Sequence, residues 1–302
     1  MEIYANLHIH STHSDGNFSP TDVARICKDE GYKAIAITDH DIATAYPEMK
    51  AECDKIGLEC LFGAEFSAPS KLLEDPDYYN PLEPNFHITA YHFDPEYPAM
   101  KQYLDDMAFR ETEQTHELFN RGVRLGLIKG IEWDEVLEYN GDIRWLCNNH
   151  LWRCMLDKGL LKKEDRGWFW TELFADHRWE IPPHREFKSE ADMIQLIRDA
   201  GGIAIVAHPH EQLKHIDALI EMGVEGLEVW HSMMTEEERE KAVKLAYEKD
   251  LYISGGSDHE GRCDNQTLLN MKPGDRFYTP PCTYGTTKQH YEEIRDRKLN
   301  RW

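Results

Sequence analysis

The sequence predicts an α/β fold in which parallel strands alternate with helices and close toward a barrel, with a helical insertion after the fourth strand. Three observations predict it. The first sixty residues alternate short apolar runs with amphipathic stretches ended by Gly31 and Gly57. The same rhythm returns from Gly201-Gly202 to Ser254. Between them, over residues 95–183, the alternation stops and six of the eight tryptophans accumulate: Trp133, Trp145, Trp152, Trp168, Trp170 and Trp179. Repeated short βα units imply parallel strands with right-handed crossovers.

Residues 2–9 alternate loosely and form the first strand. Ser19-Pro20-Thr21-Asp22 starts a helix, with Ser19 as N-cap, Pro20 in the first turn and Asp22 near the positive end. Val23, Ile26 and Cys27 give it an apolar stripe, and Gly31 stops it. Residues 33–38 form a buried strand, 46–56 a helix, 58–66 a third strand and 86–93 a fourth. In the C-terminal third, strands are expected over 203–207, 225–230 and 251–254, with helices over 211–222 and 235–249. The run Thr235-Glu236-Glu237-Glu238 is a helix start with favourable negative charge. The interrupting segment reads as helices over 101–125, 133–139 and 151–160 with a small core of their own. The expected division is 1–94 and 184–302 for the barrel and 95–183 for the insertion, which covers the active site.

Composition excludes several classes. The chain has 302 residues, 34 basic against 56 acidic, for a net charge of −22. Such a charge opposes broad binding to duplex nucleic acid or anionic membranes, although bound cations reverse a local field. No apolar run approaches the ~18 residues of a membrane span. The first residues lack the basic and apolar regions of a secretory leader, and the seven scattered cysteines form no CxxC pair, so a reducing cytoplasmic setting is expected. GxxxxGK[ST], HExxH, GxSxG and GxGxxG are all missing, so NTPase, zincin, serine hydrolase and dehydrogenase readings lack support.

The sixteen histidines point elsewhere. His8 and His10 sit two apart on a strand, so both imidazoles face one side. Asp15 follows in a turn. His40 and Glu65 end the second and third strands, His87 lies in the fourth, His208 ends the fifth, and Asp258, His259 and Glu260 follow the seventh. Ligands arriving from successive strand ends are what a barrel active site requires. Buried imidazoles and carboxylates in such numbers need partners, and a cluster of cations supplies them. Nitrogen and oxygen donors without cysteine suit two or three divalent ions of Mn, Fe or Zn. Glu228 and His231 are placed near the interior without a ligand role, and His13 faces away.

Taken together, His8-Ile9-His10-Ser11 with Ser14-Asp15-Gly16, Thr38-Asp39-His40-Asp41, Gly63-Ala64-Glu65-Phe66-Ser67, Ala207-His208-Pro209 and Gly255-Gly256-Ser257-Asp258 resemble the successive motifs of the PHP (polymerase and histidinol phosphatase) superfamily. The branch they resemble holds the stand-alone phosphoesterases related to nucleoside-bisphosphate phosphatases and RNA 5′-exonucleases. The resemblance implies a distorted seven-stranded βα barrel and a trinuclear metal centre. By the family pattern His8, His10, Glu65 and Asp258 hold a first ion, Asp15 and His40 a second, and Glu65, His87 and His208 a third. One departure stands out. The family's histidine two residues after the last-motif aspartate is Glu260 here, with His259 one place early. Either Glu260 replaces an imidazole at the second ion, or the loop turns to present His259. Glu260 is kept among the candidate ligands, and His259 or an ion-bound water is the candidate acid for the leaving group.

Within the insertion, Asn148-Asn149-His150-Leu151-Trp152-Arg153 resembles a family segment whose histidine contacts substrate phosphate. The usual arginine two residues earlier is Asn148, leaving Arg144 or Arg153 to compensate. His210, near the mouth, completes the substrate candidates. The implied reaction is hydrolysis of a phosphate monoester or diester, on a small phosphorylated metabolite or short oligonucleotide, by hydroxide generated between adjacent ions. Two rivals remain at this point. Amidohydrolase barrels also begin with HxH and break C–N bonds, and a metal-binding domain without catalysis would keep the same ligands.

Overall fold

The computed structural model describes residues 2–73, 85–175, 187–232, 234–262, 271–275 and 279–299. The chain opens with β1 (Ala5–Asn6), α1 (Pro20–Glu30), β2 (Ala34–Ile35), α2 (Tyr46–Ile56) and β3 (Glu59–Cys60). The Ser19 hydroxyl accepts from the Asp22 amide at 3.1 Å, the expected cap, an interaction worth about 1 kcal/mol. Gly31 follows α1 at φ 107°, the left-handed conformation that a side chain would strain. β1, β2 and β3 form a parallel sheet.

A second sheet holds β4 (Gly63–Pro69), β5 (Asn85–Tyr91), β6 (Ile203–Val206), β7 (Gly226–Trp230) and β8 (Tyr252–Gly255), in that order. Here expectation and structure part. The third strand divides into β3 and β4, which belong to different sheets. The β4–β5 and β5–β6 pairs are antiparallel, and only β6–β7 and β7–β8 are parallel. The fold is α/β, with eight strands among the described residues in two sheets, rather than seven in one closed ladder. Backbone hydrogen bonds join the sheets on both sides. His40 bridges Glu65 in parallel fashion. On the other side the Leu7 amide donates to the Gly255 carbonyl at 3.1 Å and the Asp258 amide to the His8 carbonyl at 2.8 Å.

The segment after β5 is helical, with α3 (Pro98–Arg124), α4 (Trp133–Asn140) and α5 (Asn148–Asp157), then short helical turns over Arg166–Trp168 and Phe169–Ala175. Leu118, Phe119, Val136, Leu151, Trp152, Phe169 and Leu173 pack into a cluster of their own. Trp133, Trp168 and Trp170 pack on its flank. Trp145 instead joins Ile42, Ala108 and Cys147, where α3 meets the strand ends. Trp179 lies outside the described residues. After α6 (Glu190–Asp199) and β6, a tight 3₁₀ turn over His210–His215 replaces the start of the expected helix, and α7 spans only Ile216–Met222. α8 (Glu236–Glu248) carries the Thr235 cap, with Glu238 closing a capping box, and α9 (Lys288–Asp296) is the last helix among the described residues. No helix among the described residues is long and apolar enough to cross a membrane.

Candidate metal centre

The junction of the two sheets gathers the candidate ligands. Glu65, on β4, is 1% exposed and lies at its centre. Its Oε2 is 3.2 Å from His8 Nε2, 3.3 Å from His10 Nε2 and 3.2 Å from His40 Nδ1. Its Oε1 is 3.1 Å from His87 Nδ1 and 3.3 Å from His208 Nε2. Asp258 Oδ1 lies 3.0 Å from His10 Nε2 and 3.9 Å from His8 Nε2. Asp15 faces His10, His40 and His259, with His259 Nε2 3.2 Å from its Oδ2.

These contacts are not those of a satisfied hydrogen-bond network. His8 Nε2, both ring nitrogens of His10, His40 Nδ1, Glu65 Oε2 and Asp258 Oδ1 are buried without a hydrogen-bond partner. Orphaned buried polar atoms are costly and rare. Ligand atoms about 2.0–2.2 Å from a shared ion lie about 3.3–3.6 Å apart at tetrahedral angles, and the separations here, 3.0–3.9 Å, bracket that range. The donor set is nitrogen and oxygen throughout. The residues therefore fit divalent cations.

Local backbone explains how the strand ends reach inward. His208 (φ 28°) and Asp258 (φ 47°) both take left-handed conformations without being glycine, a cost tolerated mainly at functional sites. Gly256 is required by close approach, because a Cβ there would lie 2.4 Å from the His8 amide nitrogen. The turn at Asp258 brings His259 into the Asp15 group and stacks its ring on His10, with centroids 4.4 Å apart. Of the two possibilities at this motif, the structure presents His259 among the ligand-type residues rather than as an isolated acid. The Glu260 side chain lies outside the described residues.

Of the four residues expected at the substrate, three contact other protein groups and one is exposed. His150 is fully buried. Its Nε2 donates to the Thr12 carbonyl at 2.9 Å and its Nδ1 accepts from the Cys147 amide at 3.0 Å. Burial first, and then Arg153, push its pKa down to about 3, so the ring is neutral and both nitrogens are engaged. Arg153 donates to the Gly16 carbonyl. Arg144 is exposed. His210 lies 3.6 Å from Glu238, on the first turn of α8. The helical start was legible in the sequence, but the direction these side chains take depends on tertiary packing. His13, as expected, faces away, with Nδ1 2.8 Å from the Thr44 hydroxyl.

Glu228, given no ligand role from sequence, is the residue that the cluster reveals. It is buried on β7, and its carboxylate accepts from His8 Nδ1 at 3.1 Å and from the His208 amide at 2.8 Å. This fixes His8 with Nε2 turned toward Glu65. His231 acts similarly on Asp258, with Nε2 3.3 Å from Oδ2. The signal was a glutamate within an otherwise apolar strand, Gly226-Leu227-Glu228-Val229-Trp230. Glu228→Gln is expected to weaken ion binding about 10–100-fold, the usual scale for such partners. Chelator competition measures this; an unchanged affinity would contradict the orienting role.

The site's electrostatics bear on loading. Burial pushes the His8 pKa down, but Glu65, Glu228 and Asp258 outweigh it and raise the group well above its ordinary value. For His10, burial and His259 push down while Asp258, Glu65 and Asp15 push up, to about 9. Burial opposes ionisation of Glu65 and Asp258, yet the surrounding imidazoles hold both well below the usual carboxylate range. His40 is pushed down to about 3, chiefly by burial. A raised imidazole pKa means a proton present at pH 7, and a ligand nitrogen must lose it. Loading at pH 7 is therefore expected to release protons, and affinity to rise with pH toward about 9. Calorimetry in two buffers of different ionisation enthalpy reads the release. Identical heats in both would contradict it.

Residues 6–138 match the PHP domain model. A 5′-3′ exoribonuclease of Haemophilus influenzae is 25% identical over 265 residues, covering 85% of this chain and 90% of that protein. A 3′,5′-nucleoside bisphosphate phosphatase of Chromobacterium violaceum is 26% identical over 273 residues, covering 84% of this chain and 86% of that protein. A solved chain from Bifidobacterium adolescentis, described as a metal-dependent phosphoesterase, shares the fold with a TM-score of 0.72. It is 23% identical and covers 99% of this chain and 98% of its own. The span matching the PHP domain model contains His8, His10, Asp15, His40, Glu65 and His87.

Proposed function

We propose that this chain is a metal-dependent phosphoesterase. It hydrolyses a phosphate monoester or diester on a nucleotide-like molecule, another small phosphorylated metabolite or a short oligonucleotide. The observation that carries the reading is Glu65, whose two oxygens each face a separate set of imidazoles in a buried junction. A carboxylate so shared suits adjacent ions. The relatives named above act on RNA and on a nucleoside bisphosphate, both phosphoesters.

In this reading His8, His10, Glu65 and Asp258 hold one ion. Asp15, His40 and His259 hold a second, and Glu65, His87 and His208 a third. Mn, Fe and Zn all suit these donors. When bound, the ions supply Lewis-acid activation of water and neutralise charge on the phosphoryl oxygens. The protein's own work is positional. Glu228 fixes the His8 ring and the His208 backbone, and His231 orients Asp258. Asp39 accepts from the Ser11 amide and from the Ser11 and Ser14 hydroxyls at 2.6–2.7 Å, which holds the loop bearing Asp15. A chain of net charge −22 attracts a phosphate only where cations reverse the local field. In this reading 1–94 and 184–302 make up the α/β body, and 95–183 is the insertion that covers the site.

The test is a substrate panel on protein whose ion content is measured in parallel. It includes nucleoside monophosphates and bisphosphates, short RNA, sugar phosphates, and amide and cyclic amide substrates. Phosphate or nucleotide release that disappears on chelation and returns with added Mn, Fe or Zn is expected. Amide opening without phosphoester turnover would favour the amidohydrolase reading. Ion-loaded protein that turns over nothing would favour a binding domain.

A further inference from the structure

We propose that helix α5 is a positioning element of the ion cluster, holding the loop of residues 11–16 by its backbone carbonyls and so fixing where the Asp15 carboxylate stands. Four side chains in or just before the helix reach that loop. Asn149 Nδ2 donates to the Asp15 carbonyl at 2.5 Å. His150 Nε2 donates to the Thr12 carbonyl at 2.9 Å. Arg153 donates to the Gly16 carbonyl, and the Cys147 thiol lies 3.9 Å from the Ser14 carbonyl.

The His150 contact is itself built. Its Nδ1 accepts from the Cys147 amide, which leaves the proton on Nε2 and turns it toward Thr12. From the opposite side Asp39 holds Ser11 and Ser14. Gly16 completes the loop by lying against His10, where a Cβ would come within 2.4 Å of the His10 carbonyl. The loop's backbone is thus fixed on two sides. The Asp15 carboxylate faces the third, toward His10, His40 and His259.

The donors to these carbonyls come from about 130 residues away in the chain, with a separation of 134 between Asn149 and Asp15. Residues one step removed from a ligand commonly change ion affinity about 10–100-fold when altered. Here the geometry assigns that influence to the helical segment. His150 and Arg153 act through Asp15 and are positioning residues rather than groups that touch substrate.

The inference rests on the phosphoesterase reading only for its activity arm. The probe is Mn²⁺ or Zn²⁺ itself, titrated into the full chain against a chelator. Asn149→Ala, at a half-buried position, and His150→Ala are expected to weaken one ion about 10–100-fold and leave the others unchanged. At limiting metal kcat falls; at excess metal it recovers; KM stays constant throughout. His150→Gln, which keeps a donor for Thr12, is expected to restore most of the affinity. Two results would overturn the inference. One is unchanged affinity for every ion in both alanine variants, with only a lower Tm. The other is a raised KM with all ions retained, which would put these residues on the substrate. Should His150→Ala fail to fold, Asn149→Ala decides alone. Because the titration does not use turnover, a chain that hydrolyses no phosphoester while Asn149→Ala weakens one ion would sink the enzymatic reading and leave the positioning role standing.

Discussion

Glu65→Gln is expected to lower turnover by at least about a thousandfold, the upper scale on which a single group stabilising charge in a transition state acts, and to reduce bound metal by more than one ion. The reason is geometric. Oε2 faces His8, His10 and His40, whereas Oε1 faces His87 and His208, so a single neutral amide disturbs both sides of the cluster. The amide also places an N–H donor where only acceptors of a cation's charge belong. Glutamine nearly preserves volume, so the fold should persist. Elemental analysis and turnover on the same preparation check the expectation. Full metal content with full activity would remove Glu65 from the centre.

His259→Ala is expected to remove one ion and lower kcat at least about a hundredfold, within the range for losing charge stabilisation. The left-handed turn at Asp258 carries His259 into contact distance of Asp15 and against the His10 ring. Glu260→Ala is expected to keep the full ion count, because the third imidazole position beside Asp15 and His40 is filled by His259. Elemental analysis of the two variants separates the possibilities that the motif left open. Loss of an ion in the Glu260 variant and retention in the His259 variant would reverse the assignment.

Helix ends were the most legible part of the fold. Ser19, Gly31, Gly57 and the Thr235–Glu238 pair act locally, so their chemistry is written in neighbouring residues. Strand direction was not legible. The alternation in residues 86–93 is the same whether β5 runs with or against its neighbours, and long connections precede and follow it. Nor was the break between β3 and β4, where Leu61 and Phe62 continue an apolar run but the chain passes from one sheet to the other.

Within the site, residue types and their place at strand ends identified the ligand candidates, since imidazoles and carboxylates at buried positions demand partners. The residues behind them were harder. Glu228 looks like any interior glutamate until His8 and the His208 amide are seen on its carboxylate. The resemblance of residues 148–153 to a family segment whose histidine contacts phosphate is what points His150 and Arg153 toward substrate. Only packing shows that both face the backbone of the Asp15 loop.

The central claim is that residues distant in the chain share a cluster of cations at the junction of the two sheets. Anomalous diffraction from crystals of the Mn- or Zn-loaded protein tests it directly. Two or three peaks are predicted, one among His8, His10, Glu65 and Asp258 and the others beside Asp15 and between His87 and His208. Peaks confined to other parts of the surface, or none under saturating metal, would contradict the account.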